Sequence, residues 1–221
     1  MRLVADGVYL LNGFPPGVNA VNVYLVDDVL VDAGWPWSAG RVLRQIETRS
    51  VSTHVLTHAH ADHVGGSSKV KEKLGVPLWC PAEDVRAAEN GEPARAPHQN
   101  SPVRKIIPDP PAVKVDRALN EGDEVAGFKV LDVPGHSPGH IAYWRESDRT
   151  LIAGDVCFNL HPLTGIPGLR EPPDVLTYDP ALNREAIRKV AELEPRLTLF
   201  GHGPPLRDTR KLVDLAAGLP R

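Results

Sequence analysis

Residues 57–66 read THAHADHVGG and place four potential metal ligands, His58, His60, Asp62 and His63, close together in the chain. Side chains two positions apart on an extended segment project to the same side, so the imidazoles of His58 and His60 can reach one ion. The chain then turns, which lets Asp62 and His63 face a second ion. Imidazole and carboxylate ligands suit zinc, iron or manganese. The stretch therefore predicts a metal site at the end of a strand.

Three later residues have a similar setting, each at the end of a strand-like apolar run and beside a glycine. They are His136 in VPGHSPGH, Asp155 in LIAGDV and His202 in LFGHGPP. Glycine can adopt positive φ and allows the backbone to approach a metal centre closely. These three residues are therefore candidates for completing the site that begins at His58.

The 221-residue chain has an ordinary globular composition, with 42% hydrophobic and 24% charged residues. Its length predicts one well-buried domain over residues 1–221. A formal net charge of -3 argues against a nucleic-acid partner, because such proteins usually carry a basic excess. We expect no membrane span and no secretory signal, because no apolar run is long enough. Two cysteines, Cys80 and Cys157, are too few for a disulfide scaffold, so we expect a cytoplasmic protein with reduced thiols.

The remaining pattern intersperses strands and helices and predicts packed sheets with helices outside. Apolar runs bounded by Gly, Pro and Asp predict strands at residues 8–11, 22–26, 29–32, 53–57, 77–80, 128–133, 141–145, 150–153 and 197–200. Apolar spacing and capping residues predict helices at 38–48, 67–74, 82–89, 181–192 and 209–217. We expect a turn at residues 12–19 and two Pro- and Gly-rich loops at 91–111 and 158–180. Loops of that length are usually functional lids or disordered.

The order HAHADH, GHSPGH, GD and GHG resembles the metallo-β-lactamase superfamily, and more closely its glyoxalase II-like hydrolases. The resemblance runs from LVDAG at residues 30–34 through GHG at 201–203. It implies an α/β fold, a four-layer αββα sandwich with the metals at one sheet edge. It also implies a ligand set, with the first metal on His58, His60 and His136, the second on Asp62, His63 and His202, and Asp155 bridging the two.

The chemistry that follows from this ligand set is hydrolysis. Two cations roughly 3.5–4 Å apart share a water and lower its pKa towards ~7, which gives a hydroxide nucleophile at neutral pH. Asp62 is the expected catalytic residue, because its carboxylate can orient that hydroxide. We expect two divalent metal ions, zinc first with iron or manganese as alternatives, and a small-molecule acyl substrate.

Other histidines and one aspartate are expected near the site without being ligands. Asp32 in LVDAG is expected to orient a metal ligand, and His140 to hydrogen-bond locally or beside the ligands. His161 begins the second long loop and is a candidate for substrate contact, because loops over a site often carry function. His54 lies inside the strand before the motif and is expected to be a packed structural histidine.

Asp155 separates activities within the superfamily that the chain resembles. True β-lactamases usually lack a bridging aspartate there, whereas glyoxalase II, lactonase, esterase and tRNA-processing relatives carry one. The resemblance therefore implies attack on an ester-like carbonyl in a thioester, lactone or small ester. About 19 residues follow His202, so we do not expect the helical domain that contacts glutathione in glyoxalase II. The alternatives are a mononuclear iron oxidoreductase resembling persulfide dioxygenase, and a phosphodiesterase or nuclease, which the acidic balance disfavours.

Overall fold

The computed structural model describes residues 1–11, 21–92, 94, 107–162 and 164–220. The turn expected at 12–19 and the greater part of the loop expected at 91–111 lie outside the described residues. The strands of the described part are β1 (Arg2–Ala5), β2 (Val8–Leu11), β3 (Val23–Val26), β4 (Val29–Val31), β5 (Thr53–Val55), β6 (Leu78–Pro81), β7 (Arg117–Leu119), β8 (Glu124–Val125), β9 (Phe128–Asp132), β10 (Ile141–Arg145), β11 (Thr150–Gly154), β12 (Phe158–Leu160), β13 (Pro167–Arg170) and β14 (Leu197–Phe200). Its helices are α1 (Ala39–Ile46), α2 (Ala61–Val64), α3 (Ser67–Leu74), α4 (Val85–Asn90), α5 (Pro180–Glu192) and α6 (Thr209–Gly218).

The strands form two large sheets and one hairpin. The first sheet has seven strands in the order β1-β2-β3-β4-β5-β6-β7, antiparallel up to β4 and parallel from β4 onwards. The second has five strands in the order β14-β11-β10-β9-β8, antiparallel except for the parallel pair β11 and β14. Strands β12 and β13 form the hairpin.

Strand β3 shows how the first sheet uses both of its faces. All four residues are buried, and successive side chains point to opposite sides of the sheet. Tyr24 and Val26 lie in the core between the two sheets, whereas Val23 and Leu25 pack with apolar side chains of α1 and α3. The continuous apolar run of β3 is therefore the signature of a strand covered on both sides.

Strand β11 shows the same alternation in the second sheet. Ile152 faces the core between the sheets, while Leu151 and Ala153 pack against α5 and α6. Helices thus cover the outer face of each sheet, and the two inner faces share one hydrophobic core. This arrangement is the expected αββα sandwich, which the structure confirms.

The loop expected at 158–180 is wrong over much of its length, because this segment contains the hairpin β12–β13. Pro167 and Gly168 concealed the second strand, since both residue types are depleted in strands and tolerated mainly at edges. The hairpin contacts the segment after β14 through the backbone of Asn159, whose N–H donates to the carbonyl oxygen of His202 at 2.9 Å. The described part of the segment after Asp155 therefore contains a strand pair beside the candidate site.

Two further observations concern the class of protein. None of the helices in the described part of the chain has the length and apolar character that a bilayer crossing requires. Cys80 and Cys157 are both buried and are not joined in a disulfide.

Candidate metal centre

The seven candidate ligands come from both sheets and meet at one edge of the sandwich. His58, His60, Asp62 and His63 follow β5 of the first sheet, the last two on the short helix α2. The other three follow strands of the second sheet, namely His136 after β9, Asp155 directly after β11 and His202 after β14. Their potential ligand atoms fall into two groups, each with all atoms within 4.8 Å of one another. The structure therefore brings together all seven residues that the sequence singled out.

The first group consists of His58, His60 and His136. The His60 Nδ1 and His136 Nε2 atoms lie 3.0 Å apart. His60 Nε2 lies 2.9 Å from the carbonyl oxygen of Ala94, to which it can donate, so Nδ1 is left with the lone pair that a metal needs. Three imidazoles with converging nitrogens suit one divalent cation.

The second group consists of Asp62, His63, Asp155 and His202. The Nε2 atom of His202 lies 3.2 Å from Asp62 Oδ2, and the Nε2 atom of His63 lies 3.3 Å from Asp155 Oδ2. Two carboxylates in this group give it a net negative charge when the imidazoles are neutral. Such a mixed set of imidazole and carboxylate ligands suits a second divalent cation.

One oxygen atom, Oδ2 of Asp155, lies between the two groups. It is 3.3 Å from Nε2 of His136 and 3.9 Å from Nε2 of His58 in the first group. It is also 3.3 Å from Nε2 of both His63 and His202 in the second group. The Asp155 carboxylate can therefore contact ions held by either group, as a bridging ligand must.

Buried ring nitrogens without partners support the fit to metal ions. Within the described residues, His58 Nε2, His63 Nε2 and Asp155 Oδ1 are buried and have no hydrogen-bond partner. Leaving a buried polar atom unsatisfied costs about 1–3 kcal/mol, so such atoms are rare unless they have another role. Coordination of a divalent cation would satisfy both nitrogens, and the residues present therefore fit a dinuclear site.

Asp32 and Thr57 contact the Nδ1 atoms of two candidate ligands, His63 and His58. Oδ2 of Asp32 lies 2.8 Å from Nδ1 of His63 and accepts a 2.9 Å hydrogen bond from the Thr57 hydroxyl. The Thr57 oxygen lies 3.0 Å from Nδ1 of His58 and can accept its proton in turn. These contacts place the Nδ1 proton on both rings and leave their Nε2 atoms free for a cation. The structure thus puts Asp32 where it can orient His63.

His140 contacts the second ligand group through the backbone of Asp155. Its Nε2 accepts a 2.9 Å hydrogen bond from the backbone N–H of Asp155, and its ring is buried. Gly154, with φ of +54°, permits this approach, because a Cβ atom there would lie 2.8 Å from Cε1 of His140. His140 is therefore a local hydrogen-bonding partner of the Asp155 backbone.

Two other histidines belong to neither ligand group. His161 is half-buried in the turn of the β12–β13 hairpin, where its Nδ1 accepts a 3.2 Å hydrogen bond from the backbone N–H of Thr164. His54 is fully buried, with ring nitrogens 2.8 Å from the Ser67 hydroxyl and 3.1 Å from the carbonyl oxygen of Leu30. The prediction of a packed structural histidine at position 54 is confirmed.

The two groups differ in their electrostatics. Burial, reinforced by His136, lowers the pKa of His60 to about 3, so this ring is neutral and ready to ligate. In the second group, burial lowers the pKa of His202, but Asp155 and Asp62 outweigh it and raise the value to about 10. Protons and metal ions therefore compete for the second group, because only neutral imidazole binds a cation.

Close packing around the second group requires glycine at position 201. A Cβ atom on Gly201 would lie 2.0 Å from Oδ1 of Asp155 and 2.6 Å from Cε1 of His63. Both distances are far below van der Waals contact. The glycine before His202 therefore allows the backbone to approach the centre closely, as the sequence predicted.

Two polar residues that support the centre were missed by the sequence analysis, Asp84 and Asn22. The Nδ2 atom of Asn22 donates to the carbonyl oxygens of Phe200 at 2.8 Å and Gly203 at 2.7 Å, which flank His202. The backbone N–H of Asn22 donates to the carbonyl oxygen of Gly201 at 2.7 Å. Asn22 was assigned only to a strand, and its partners lie too far along the chain for any local pattern to indicate them.

An αββα sandwich with this cluster of His and Asp at its edge defines a metallo-hydrolase. The chain belongs to the metallo-beta-lactamase superfamily, whose sequence model matches residues 16–202. It is a hydrolase of that superfamily with a candidate site suited to two metal ions, and the resemblance of its motifs is confirmed.

Individual relatives agree with this assignment. The chain is 32% identical to "Probable metallo-hydrolase YflN" of Bacillus subtilis (strain 168), over 90% of this chain and 86% of the relative. It is 31% identical to a hydroxyacylglutathione hydrolase of Bdellovibrio bacteriovorus, over 57% of this chain and 43% of the relative, and thus matches under half of that protein's length. Among solved structures, TTHA1623 in a di-iron-bound form is 29% identical with a TM-score of 0.66, and the match covers 95% of this chain and 97% of that one.

Proposed function

We propose that this protein hydrolyses an ester-like carbonyl compound, namely a thioester, a lactone or a small ester, with two divalent metal ions. The observation that carries the proposal is the position of Asp155 Oδ2, within 3.3–3.9 Å of imidazole nitrogens from both ligand groups. A carboxylate shared between two groups supports a paired rather than a single ion. It therefore favours hydrolysis over the mononuclear iron oxidoreductase.

A pair of bound divalent cations supplies Lewis acidity and a water of lowered pKa. The chain contributes a carboxylate, Asp62, that can orient this water. Burial raises the pKa of Asp62, but His63 and His202 outweigh it and hold the value at about 2, so the group is ionised at neutral pH. An ionised carboxylate accepts hydrogen bonds only, and Asp62 can therefore orient an attacking water in the role proposed for it.

Exposure indicates the side from which substrate approaches. The side chains of Asp62 and His202 are 18% and 13% exposed, whereas those of His58, His63 and Asp155 are at most 2% exposed. The centre is thus closed towards the core and open beside Asp62. The carbonyl of a substrate entering there meets the residue that we assign to orient the nucleophile.

Substrate class and metal identity are also part of the proposal. A relative named hydroxyacylglutathione hydrolase supports an acyl substrate, although the match covers 43% of that protein. The net charge of -3 supports a small molecule rather than a nucleic acid. Zinc suits the imidazole and carboxylate set, and the di-iron form of TTHA1623 makes iron the alternative. Both cysteines are free, which supports the proposed cytoplasmic location.

The experiment combines metal quantification with a substrate panel on the purified protein. Thioesters, lactones, small esters and phosphodiesters are assayed against the wild type and the variants Asp62→Ala, His60→Ala and Glu72→Ala. Glu72 lies exposed on α3 and serves as the matched control. We expect two metal ions per chain, hydrolysis of at least one acyl substrate and its loss in the first two variants only. One iron per chain with oxygen consumption contradicts the proposal, as does activity within about tenfold of wild type in both ligand variants.

A further inference from the structure

Asp84 is a fully buried carboxylate that takes no part in the proposed ligand set. It ends the 3-10 turn Ala82–Asp84 that follows β6. Its Oδ2 accepts hydrogen bonds from the backbone N–H of Ala59 at 2.9 Å and from the Ser137 hydroxyl at 2.8 Å. Its Oδ1 accepts a 2.8 Å hydrogen bond from the backbone N–H of Gly139. Three donors therefore converge on one buried side chain.

These donors belong to the two segments that carry the first ligand group. Ala59 stands between His58 and His60 in the segment from the first sheet, and Ser137 follows His136 in the turn from the second sheet. The Asp84 carboxylate thus links the chain segment that carries His58 and His60 to the turn that carries His136. By contrast, Asp32 contacts the second group through His63.

The packing around Asp84 leaves little room for the two segments to shift. A Cβ atom on Gly139 would lie 2.7 Å from the backbone nitrogen of Asp84 and 2.9 Å from its Oδ1. Burial raises the pKa of Asp84, while its hydrogen bonds from Ala59, Ser137 and Gly139 oppose that effect. Burying a carboxylate is costly without such bonds. The contacts therefore fix the distance between the two segments closely.

We propose that Asp84 is a positioning residue that sets the spacing of His58, His60 and His136, and so the metal affinity of the first group alone. The inference rests on the proposed dinuclear function, but it makes a separate prediction about each metal. Loss of Asp84 weakens the binding of the ion held by the first group, whereas the ion held by the second group stays bound.

The test uses ¹¹³Cd NMR on the full-length protein loaded with two equivalents of ¹¹³Cd²⁺. The variant His202→Ala removes a residue of the second group and assigns the signal that remains to the first. We expect Asp84→Asn to shift or abolish that first-group signal and to weaken one cadmium site by about 10- to 100-fold, as loss of a partner behind the ligands typically does. The second-group signal remains at its wild-type position.

Two further variants separate positioning from general stability. Ser137→Ala removes one of the three donors, and we expect a smaller shift of the same signal. If Asp84→Asn does not fold, the result for Ser137→Ala decides whether the contacts of Asp84 position the first group. Asp148→Asn is the matched control, because Asp148 accepts hydrogen bonds from Arg145 and Thr150 at the turn between β10 and β11. It should leave both signals unchanged.

The outcomes distinguish this inference from the proposed function. Unchanged spectra in Asp84→Asn and Ser137→Ala, or equal shifts of both signals, overturn the positioning role. A wild-type protein with a single cadmium signal contradicts the dinuclear function instead. The response of that single signal to Asp84→Asn then still decides whether Asp84 positions the first group.

Discussion

Nδ1 of His63 lies 2.8 Å from Oδ2 of Asp32, and both side chains are almost completely buried. The same carboxylate accepts hydrogen bonds from the backbone and hydroxyl of Thr57, so it connects β4 with the segment that begins the metal motif. A single aspartate therefore sets the orientation of one candidate ligand and the path of the chain that leads to the others.

Replacement of Asp32 by asparagine should weaken metal binding. The amide can replace only one of the two acceptor oxygens, so either His63 Nδ1 or the backbone N–H of Thr57 then faces an NH2 group in place of an acceptor. We expect about a 10- to 100-fold loss of affinity for one ion and a fall of about 1–3 kcal/mol in the free energy of unfolding. Chelator competition and urea denaturation measure the two effects. The control Asp208→Asn, at the N-cap of α6, should keep wild-type affinity, and an unchanged affinity in Asp32→Asn would contradict the assigned role.

Gly201→Ala tests the close approach of the backbone to the second group. The added Cβ would overlap Oδ1 of Asp155, so the loop that carries His202 must move. Overpacking of this kind costs about 1–3 kcal/mol, and we expect the metal content to fall below that of wild type. Inductively coupled plasma mass spectrometry gives the metal content. Gly40→Ala, within α1 and with ample space, should keep it and stabilise the helix by up to about 1 kcal/mol. Equal metal content in the two variants argues against the proposed geometry.

Asn22→Asp tests the support of His202. The carboxylate cannot donate, so the carbonyl oxygens of Phe200 and Gly203 lose their partner and face a negative charge. We expect a loss of about 1–3 kcal/mol in stability and weaker binding of one zinc ion, read out by urea denaturation and zinc titration. Asn120→Asp, on an exposed turn, is the matched control. Wild-type zinc binding in Asn22→Asp would show that the loop is held by other contacts.

His54 makes the free energy of unfolding depend on pH, and this effect does not require the metals. Burial lowers its pKa to about 4 from the usual 6.5, so between these values the unfolded chain takes up a proton that the folded chain does not. Stability contributed by the neutral ring is therefore present above pH 6.5 and is lost as the pH falls towards 4, by up to about 1.4 kcal/mol per pH unit.

The measurement compares metal-free wild type with His54→Gln by urea denaturation from pH 7 to pH 4.5. Glutamine is neutral throughout and can still hydrogen-bond to Leu30 and Ser67. The variant should lose less stability than wild type over this range. Parallel curves for the two proteins would mean that the His54 proton does not contribute.

The candidate ligands could be predicted from the sequence because each is a local feature. His58 to His63 form one short motif, and the later three stand at strand ends beside glycine. The sandwich was predictable from the family resemblance, and the buried strands from their continuous apolar runs. Helix α2 was not predicted, since its four residues are too few to show a helical period.

The support of the ligands could not be predicted, because it depends on contacts between distant parts of the chain. Asp84 bonds to residues 25, 53 and 55 positions away, and Asn22 to residues 178 and 181 positions away. Neither residue differs in its local setting from an ordinary turn aspartate or strand-end asparagine. Strand β1 was missed because Arg2 and Leu3 are exposed at the sheet edge and show no apolar alternation.

The division of the ligands between the two sheets has a mechanical consequence. Four come from the first sheet and three from the second, so cations held there cross-link the halves of the sandwich at an edge beyond the hydrophobic core. The free energy of metal binding then contributes directly to cohesion between the sheets. Chelation should loosen this edge first, exposing α2 and the turn after β9 to solvent exchange, while the hydrophobic core between the two sheets keeps the rest of the sandwich closed.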